Sequence, residues 1–279
     1  MTKQLVSTEW LHDHLTDPAI RVLEIGSKDD RDYLQGHAPG AVWAFWQTLC
    51  WDDVVRQFAT PAQMAARLGE IGMGDEHTIV LMSDQPQYAT YAYWTMTMAG
   101  VENIRILDGS RHAWVAEGRP LSVEVPTPQA VPRTVGAEDS SSRMGRDEVL
   151  QGLGTPGRTI LDVRSPEEYR GERVMPLPYF DHGAQRTGRI PGAVHLYYAK
   201  LLNRDMTFRS PDQIARVVTK AGIDLDGAAD TDIVTYCRLS HRATFVWFAL
   251  TRILSLTGVR IYDGSWTEWG SMVDMPIEH

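Results

Sequence analysis

The sequence repeats itself, and this internal repeat constrains the fold more than any other feature. Residues 78–94 ("TIVLMSDQPQYATYAYW") align without a gap with residues 232–248 ("DIVTYCRLSHRATFVWF"). Two further pairs of blocks match in the same order: "GHAPGAV" (36–42) with "GRIPGAV" (188–194), and "RILDGSRHAW" (105–114) with "RIYDGSWTEW" (260–269). We therefore predict a tandem duplication of one domain.

Within each copy, short apolar runs alternate with helical patterns. "RVLEIG" and "TILDVR" have the length of strands, and "TIVLMS" and "DIVTYC" are typical of strands buried on both faces. Between them lie amphipathic stretches in which Thr60 and Ser210, each followed by proline, are predicted helix N-caps. This alternation predicts the α/β class, with a mainly parallel sheet covered by helices on both faces in each copy.

A segment without apolar periodicity separates the two copies. Its sequence, "VPTPQAVPRTVGAEDSSSR" (125–143), is rich in proline and serine, as linkers are. We therefore expect a first domain at residues 1–125, a linker at 126–143 and a second domain at 144–279.

Charge and cysteine content narrow the function classes. The 27 Lys and Arg residues against 36 Asp and Glu give a net charge of -9, which argues against a nucleic-acid partner or an anionic membrane surface. The start "MTKQLVSTEW" lacks the apolar region of a signal peptide, and no apolar run reaches membrane-spanning length, so we expect a cytoplasmic protein. Cys50 and Cys237 form neither a disulfide framework nor a CxxC pair, and we predict no metal or cofactor.

Positive charge gathers around Cys237, in "CRLSHR". This cysteine ends a predicted buried strand and precedes a predicted helix, which places it at the sheet edge where ligands bind in open α/β folds. The N–H groups at the helix start and the side chains of Arg238, His241 and Arg242 favour a thiolate and attract an anion. An isolated Cys-Arg pair is more often a buried thiol near surface arginines. The strand-loop-helix context with three bases favours a reactive thiolate.

This loop resembles the active-site loop of the rhodanese family, in particular the tandem-domain thiosulfate sulfurtransferases. Three other blocks resemble family signatures in the expected order: "LDVRSPEEYRGE" (161–172), "GRIPGAVHL" (188–196) and "YDGSWTEWG" (262–270). The resemblance covers nearly the whole chain. It implies two rhodanese-like domains, of which the second is catalytic and the first is not.

The resemblance also implies a mechanism. Cys237 takes the outer sulfur of thiosulfate, a small anionic donor, and holds it as a persulfide until a thiophilic acceptor such as cyanide, a thiol or a thioredoxin-like protein removes it, with ping-pong kinetics. The backbone N–H groups of five loop residues are expected to stabilise the persulfide: Arg238, Leu239, Ser240, His241 and Arg242. The side chains of Arg238 and Arg242 are expected to meet the oxyanion of the donor.

Other functions remain open beside this one. Cell-cycle phosphatases with the same fold have one residue more between cysteine and arginine, so the shorter loop here favours a sulfur substrate. Mercaptopyruvate sulfurtransferases typically have glycine after the cysteine and an upstream arginine, where this chain has Arg238 and Glu168. A persulfide carrier or sensor without turnover is a further alternative. Leu239 and Ser240 stand where the family usually has a glycine, so the pocket shape is expected to differ.

Several other polar residues have two interpretations. Ser83 lies opposite Cys237 in the repeat, but its loop "SDQPQY" has an acid and no base, which favours a degenerate loop over a hydroxyl nucleophile. Asp162 and Arg164 either reach the crevice in support of the site or form an ion pair that fixes their loop. Arg186 and Arg189 either line the pocket for an anion or lie solvated on the surface, and Arg186 is our candidate for substrate binding.

Overall fold

The computed structural model describes residues 2–225 and 232–279. The chain forms two compact units, Met1–Ser140 with Arg204–Thr207, and Ser141–Asn203 with Phe208–His279. In the described residues no helix is both long and apolar enough to span a bilayer.

The first unit is built on a five-stranded parallel sheet. Its strands are Leu5–Val6 (β1), Ile20–Gly26 (β2), Val42–Phe45 (β3), Thr78–Ser83 (β4) and Ile104–Leu107 (β5). They lie in the order β1-β5-β4-β2-β3, and every neighbouring pair is parallel. The flanking helices are Thr8–Asp13 (α1), Arg31–Gln35 (α2), Trp46–Cys50 (α3), Pro61–Glu70 (α4), Pro86–Met98 (α5) and Ser110–Ala116 (α6).

The second unit repeats this topology. Its strands are Arg143–Met144 (β6), Arg158–Asp162 (β7), Val194–His195 (β8), Asp232–Tyr236 (β9) and Val259–Tyr262 (β10), in the parallel order β6-β10-β9-β7-β8. The helices are Arg146–Gln151 (α7), Pro166–Tyr169 (α8), Pro211–Lys220 (α9), His241–Phe248 (α10) and Ser265–Trp269 (α11), with a 3-10 turn at Tyr198–Leu201 and a π-helical turn at Ala249–Ile253. The predicted duplication and fold class are confirmed.

Local sequence signals explain several helix starts. The side chain of Thr60 accepts a hydrogen bond from the N–H of Gln63, and Ser210 does the same for Gln213, with proline at the first helical position in both helices. Both predicted N-caps are confirmed. The aromatic and methionine-rich helix α5 is buried along most of its length, because it packs into the core of the first unit.

The segment expected to be a linker is bonded to the first unit. The N–H of Val131 donates to the carbonyl of Gly69 (2.9 Å), and the N–H of Asp139 donates to the carbonyl of Met98 (2.8 Å). A Cβ atom at Gly100 would lie 2.4 Å from the carbonyl oxygen of Ala137, so the backbones are close enough there to require glycine. The segment has no helix or strand before Arg143, yet the first unit extends to Ser140.

Candidate active site

Cys237 directly follows β9, the central strand of the second sheet, and its side chain is buried. Its backbone N–H donates to Oγ of Ser265 (3.2 Å), and its carbonyl accepts from the N–H of Trp266 (3.0 Å). The thiol therefore lies at the carboxyl edge of the sheet, and the first residues of α11 fix the backbone of Cys237. This is the strand end at which the sequence analysis places Cys237, where ligands bind in open α/β folds.

Arg238 is fixed through its backbone and packed through its side chain. Its carbonyl accepts two hydrogen bonds from Thr267, one from the N–H (3.0 Å) and one from Oγ1 (2.7 Å). Its guanidinium lies over Gly183, where a Cβ atom would be 2.4 Å from Nη1. Because Gly183 has a φ of +104°, both its conformation and its lack of a side chain make room for Arg238.

Ser240 resolves how the loop turns without the glycine usual in the family. Its φ is +67°, in the left-handed region that most side chains avoid. Its buried hydroxyl donates to the backbone carbonyl of Asp263 and lies 3.3 Å from the carboxylate of the same residue. The side chain of Ser240 thus stabilises the strained turn, and what it offers to a ligand is its backbone N–H.

Several backbone N–H groups of the loop have no acceptor in the part of the chain that the structure describes. Within residues 2–225 and 232–279, the backbone N–H groups of Leu239, Ser240 and Arg242 have no hydrogen-bond acceptor, whereas the N–H of His241 donates to the carbonyl of Leu239 (3.0 Å). These groups lie between Cys237 and the first turn of α10, whose dipole is positive at that end. The loop can therefore bind a small anion through its backbone.

Arg242 differs from the expectation that its side chain meets the donor. Nη1 and Nη2 donate to the two carboxylate oxygens of Glu168 at 2.6 and 2.8 Å, and both residues are buried. Burial opposes the charge on Arg242, but the hydrogen bonds and the charge of Glu168 outweigh it and raise the pKa of the guanidinium, with a further contribution from Cys237. The fork of Arg242 is thus occupied by a carboxylate of the protein.

The contact of Glu168 with Arg242 is the feature of the site that sequence reasoning missed. It is fully buried, and Oε2 also accepts from the N–H of Ser165 (3.0 Å), while Ser165 Oγ accepts from the N–H of Glu168 (3.3 Å). This is a capping box at the start of α8, immediately after β7. The S-x-x-E pattern that follows β7 could have identified Glu168 from the sequence. Because β7 pairs with β9, this pattern places the carboxylate at the same sheet edge as Cys237.

Asp162 and Arg164 form an ion pair beneath the loop. Both are fully buried, with Nη2 of Arg164 2.6 Å from Oδ2 of Asp162 and 2.7 Å from the carbonyl of Gly188. Asp162 also accepts from the hydroxyl of Tyr236 (2.6 Å), the residue before Cys237. Of the two interpretations, the structure fits the one in which the pair fixes the base of the site rather than contacting a ligand.

Arg186 and Arg189 bind backbone rather than an open pocket. The guanidinium of Arg186 donates to the carbonyls of four residues near the C-terminus: Trp269, Gly270, Met272 and Met275. Arg189 pairs with Glu278 and donates to the carbonyl of His279 (2.9 Å). The expectation that Arg186 binds substrate does not fit this geometry, because its donors are already engaged.

The corresponding loop of the first unit has a serine, Ser83, in the position of Cys237. The N–H of Ser83 donates to Oγ of Ser110 (2.7 Å), matching the Cys237–Ser265 bond of the second unit. The hydroxyl of Ser83 is engaged at the start of α5, where it donates to the carbonyl of Gln85 (2.6 Å). Cys50 lies elsewhere, and complete burial raises the pKa of its thiol to about 12, so it stays protonated.

Comparisons with known proteins agree with this geometry. The Rhodanese-like domain family matches residues 7–117 and 145–272. The sulfur carrier protein TtuD of Thermus thermophilus is 41% identical over 98% of this chain and 95% of its own length. A protein of Mycolicibacterium smegmatis named "Putative thiosulfate sulfurtransferase" is 37% identical over 98% of this chain and 97% of its own.

Among solved structures, EanB with ergothioneine covalently linked to a cysteine persulfide superposes with a TM-score of 0.83 at 25% identity, covering 99% of this chain and 70% of that one. The two family matches, the two parallel sheets of equal topology and the cysteine loop after the central strand lead to one conclusion. The chain belongs to the rhodanese-like family of sulfurtransferases, as a tandem member with two such domains.

Proposed function

We propose that this protein is a thiosulfate sulfurtransferase in which Cys237 carries the transferred sulfur. The observation that carries the proposal is the place of Cys237 at the base of a loop whose backbone N–H groups at Leu239, Ser240 and Arg242 face no acceptor in the described chain. Such a loop stabilises negative charge on a sulfur bound to the cysteine.

In the first half-reaction, the thiolate of Cys237 attacks the outer sulfur of thiosulfate. The S–S bond of thiosulfate breaks, sulfite leaves with the electron pair, and the outer sulfur remains on Cys237 as a persulfide. The leaving group is an anion, so Arg238 and the N–H groups of the loop stabilise it as its charge develops.

In the second half-reaction, a nucleophilic acceptor attacks the outer sulfur of the persulfide. The S–S bond to Cys237 breaks and the electron pair returns to the cysteine as a thiolate, which closes the cycle. With cyanide as acceptor the product is thiocyanate. Each half-reaction balances without a metal, cofactor or external oxidant.

The Glu168–Arg242 pair supports thiosulfate over 3-mercaptopyruvate as the donor. A buried carboxylate whose oxygens both contact Arg242 occupies the guanidinium that a substrate carboxylate would otherwise use. Mercaptopyruvate therefore lacks a bidentate partner at this position, whereas the compact thiosulfate dianion needs only the loop and Arg238.

A carrier role is the second candidate, favoured by the relative named a sulfur carrier protein. Steady-state thiocyanate production from thiosulfate and cyanide, measured beside pyruvate production from 3-mercaptopyruvate, separates the possibilities. We expect multiple turnovers with a higher kcat/KM for thiosulfate. Loading of one sulfur without turnover supports the carrier, and preference for 3-mercaptopyruvate contradicts the proposal.

A further inference from the structure

Large apolar side chains are exposed on a segment of the second unit that the first unit lacks. This segment, residues 172–185, is called the insertion below, and lies between α8 and the block "GRIPGAV". Leu177, Tyr179 and Phe180 are 68%, 52% and 83% exposed. Thiosulfate and cyanide are too small and too polar to cover these side chains. Exposed apolar clusters commonly mark sites of protein interaction.

The insertion is held in place by hydrogen bonds. Oδ1 of Asp181 accepts from the N–H groups of Val174 and Met175, both at 2.8 Å, and Arg173 donates to the carbonyl of Tyr179 (2.8 Å). At its end, Arg186 binds the four carbonyls near the C-terminus described above. The apolar side chains are therefore displayed from a closed and anchored loop.

The insertion borders the loop of Cys237. Gly183 packs directly against the guanidinium of Arg238, three residues after Phe180. Tyr198 gives a second link: burial raises the pKa of its hydroxyl, and Tyr179, Arg242 and Cys237 are all close enough to influence it. The insertion that carries the exposed apolar side chains thus borders the loop that begins at the thiol.

The burial of Cys237 dictates how a protein acceptor reaches it. The thiol residue is only 1% exposed, so an attacking group must be narrow and must project from its own protein. The residues on either side of that group remain at the surface, where the insertion beside this loop exposes Leu177, Tyr179 and Phe180. Apolar residues beside the attacking group bury surface there, and polar ones gain nothing.

We propose that Leu177, Tyr179 and Phe180 form a docking surface for an acceptor polypeptide whose thiol projects from an extended segment flanked by apolar side chains. This proposal rests on the proposed function, since it concerns the second half-reaction. The thiolate of the partner attacks the outer sulfur of the Cys237 persulfide, the S–S bond to Cys237 breaks, its electron pair returns to Cys237, and the partner leaves as the persulfide.

Two short synthetic peptides test the proposal, one with cysteine between leucines and one with cysteine between glycines. Sulfur transfer to each is measured with the full-length protein, its L177S/F180S variant and a V123S control, because Val123 is 71% exposed on the first unit. We expect the wild type and the control to prefer the leucine peptide by about tenfold in kcat/KM, and L177S/F180S to lose that preference. Transfer to cyanide should be equal in all three proteins.

Each outcome bears on the proposal. Equal transfer to both peptides by the wild type, or an unchanged preference in L177S/F180S, would overturn it. A parallel binding measurement uses a fluorescent leucine peptide with serine in place of cysteine on the unloaded protein, so docking is tested even if thiosulfate loads no sulfur. Failure of the cyanide reaction with intact peptide binding contradicts only the proposed function. A wild-type dimer that L177S/F180S converts to monomers would assign the surface to self-association instead.

Discussion

The loops after β4 and β9 are held by matching hydrogen bonds but contain different residues. In the first unit, the N–H of Ser83 donates to the hydroxyl of Ser110. In the second unit, the N–H of Cys237 donates to the hydroxyl of Ser265, and both acceptors belong to a "DGS" sequence. The first loop then continues with Asp84 and Pro86, and the second with Arg238, Ser240 and Arg242. The scaffold is therefore duplicated, and the two loops differ in the residues that follow the central strand.

The largest expected effect separates the two loops directly. Replacing Cys237→Ser should lower thiocyanate production by at least about 10⁴-fold, because the covalent carrier is lost. Ser83→Ala should change kcat by less than about twofold, since this hydroxyl is bonded to backbone groups at the start of α5. Steady-state kinetics of both variants measures this difference in kcat. A comparable loss of activity in the two would contradict the assignment of catalysis to the second loop.

Moving the thiol into the first loop tests whether the duplicated scaffold alone supports turnover. The double variant Ser83→Cys/Cys237→Ser should remain inactive, because the first loop has no arginine and places Asp84 beside the new cysteine. A carboxylate disfavours the thiolate and repels thiosulfate. Recovery of turnover would mean that the scaffold alone is sufficient.

The buried Glu168–Arg242 pair should give the next largest effect. Glu168→Gln leaves the guanidinium of Arg242 buried without its counter-charge, which typically destabilises a protein by about 3 kcal/mol or more. We expect a lower unfolding midpoint and a lower kcat, with partial rescue of both by Glu168→Asp. The control is Glu172→Gln, which removes a half-exposed partner of Arg170 and should change neither quantity. Unchanged kcat in a folded Glu168→Gln protein would exclude a positioning role.

The first unit also buries a carboxylate, with a different consequence. Burial raises the pKa of Glu24 to about 7 despite its ion pair with Arg111 at 3.0 Å. The folded state therefore holds a proton that the unfolded state releases above about pH 4.5, so this contribution to stability is complete below that pH and is lost as pH rises through about 7. The full loss approaches about 3 kcal/mol.

Thermal unfolding at pH 5 and at pH 7.5 tests this titration. The wild type should lose stability at the higher pH, and Glu24→Gln should lose less, because glutamine carries no titrating proton. Equal pH dependence in the two proteins would contradict the role of Glu24.

Arg238 should set the choice of donor. Arg238→Gly removes a cation beside the site, and thiosulfate carries two charges near the reacting sulfur whereas mercaptopyruvate carries one farther away. We expect the ratio of kcat/KM values to move toward mercaptopyruvate by about tenfold, equivalent to ~1.4 kcal/mol. Any effect on the thiol itself largely cancels in this ratio. If both activities fall together, Arg238 acts on the thiolate alone.

Ser240 should give the smallest effect. Ser240→Gly relieves the left-handed strain but loses the hydrogen bond to Asp263, and the two changes largely offset each other. Ser240→Ala keeps the strain and loses the bond, so it should be less stable than the glycine variant by about 1 kcal/mol. Denaturant unfolding of the two variants measures this difference, and the opposite order would contradict the role of the hydroxyl.

Sequence reasoning reached the parts of the structure that depend on local pattern. The internal repeat, the parallel strands and the N-caps at Thr60 and Ser210 follow from periodicity and capping chemistry. Cys237 at the strand end follows from the same strand-loop-helix pattern. These features need no knowledge of which side chains meet across the fold.

What sequence reasoning missed depends on tertiary contacts. The pairing of Arg242 with Glu168 joins residues far apart in the chain, and the capping of carbonyls by Arg186 requires the C-terminal segment to fold back beside it. The left-handed turn at Ser240 depends on an acceptor supplied by Asp263. A charged residue in a motif can therefore be assigned to a ligand or to the protein only when its neighbours are known.

The central claim is that sulfur is carried by Cys237 alone. Intact mass spectrometry of the wild type after thiosulfate treatment should show the gain of one sulfur atom, removed again by cyanide. The same gain should occur in Cys50→Ser, whose thiol is buried and protonated, and should be absent from Cys237→Ser. A sulfur that still loads onto Cys237→Ser, or fails to load onto Cys50→Ser, would contradict the account.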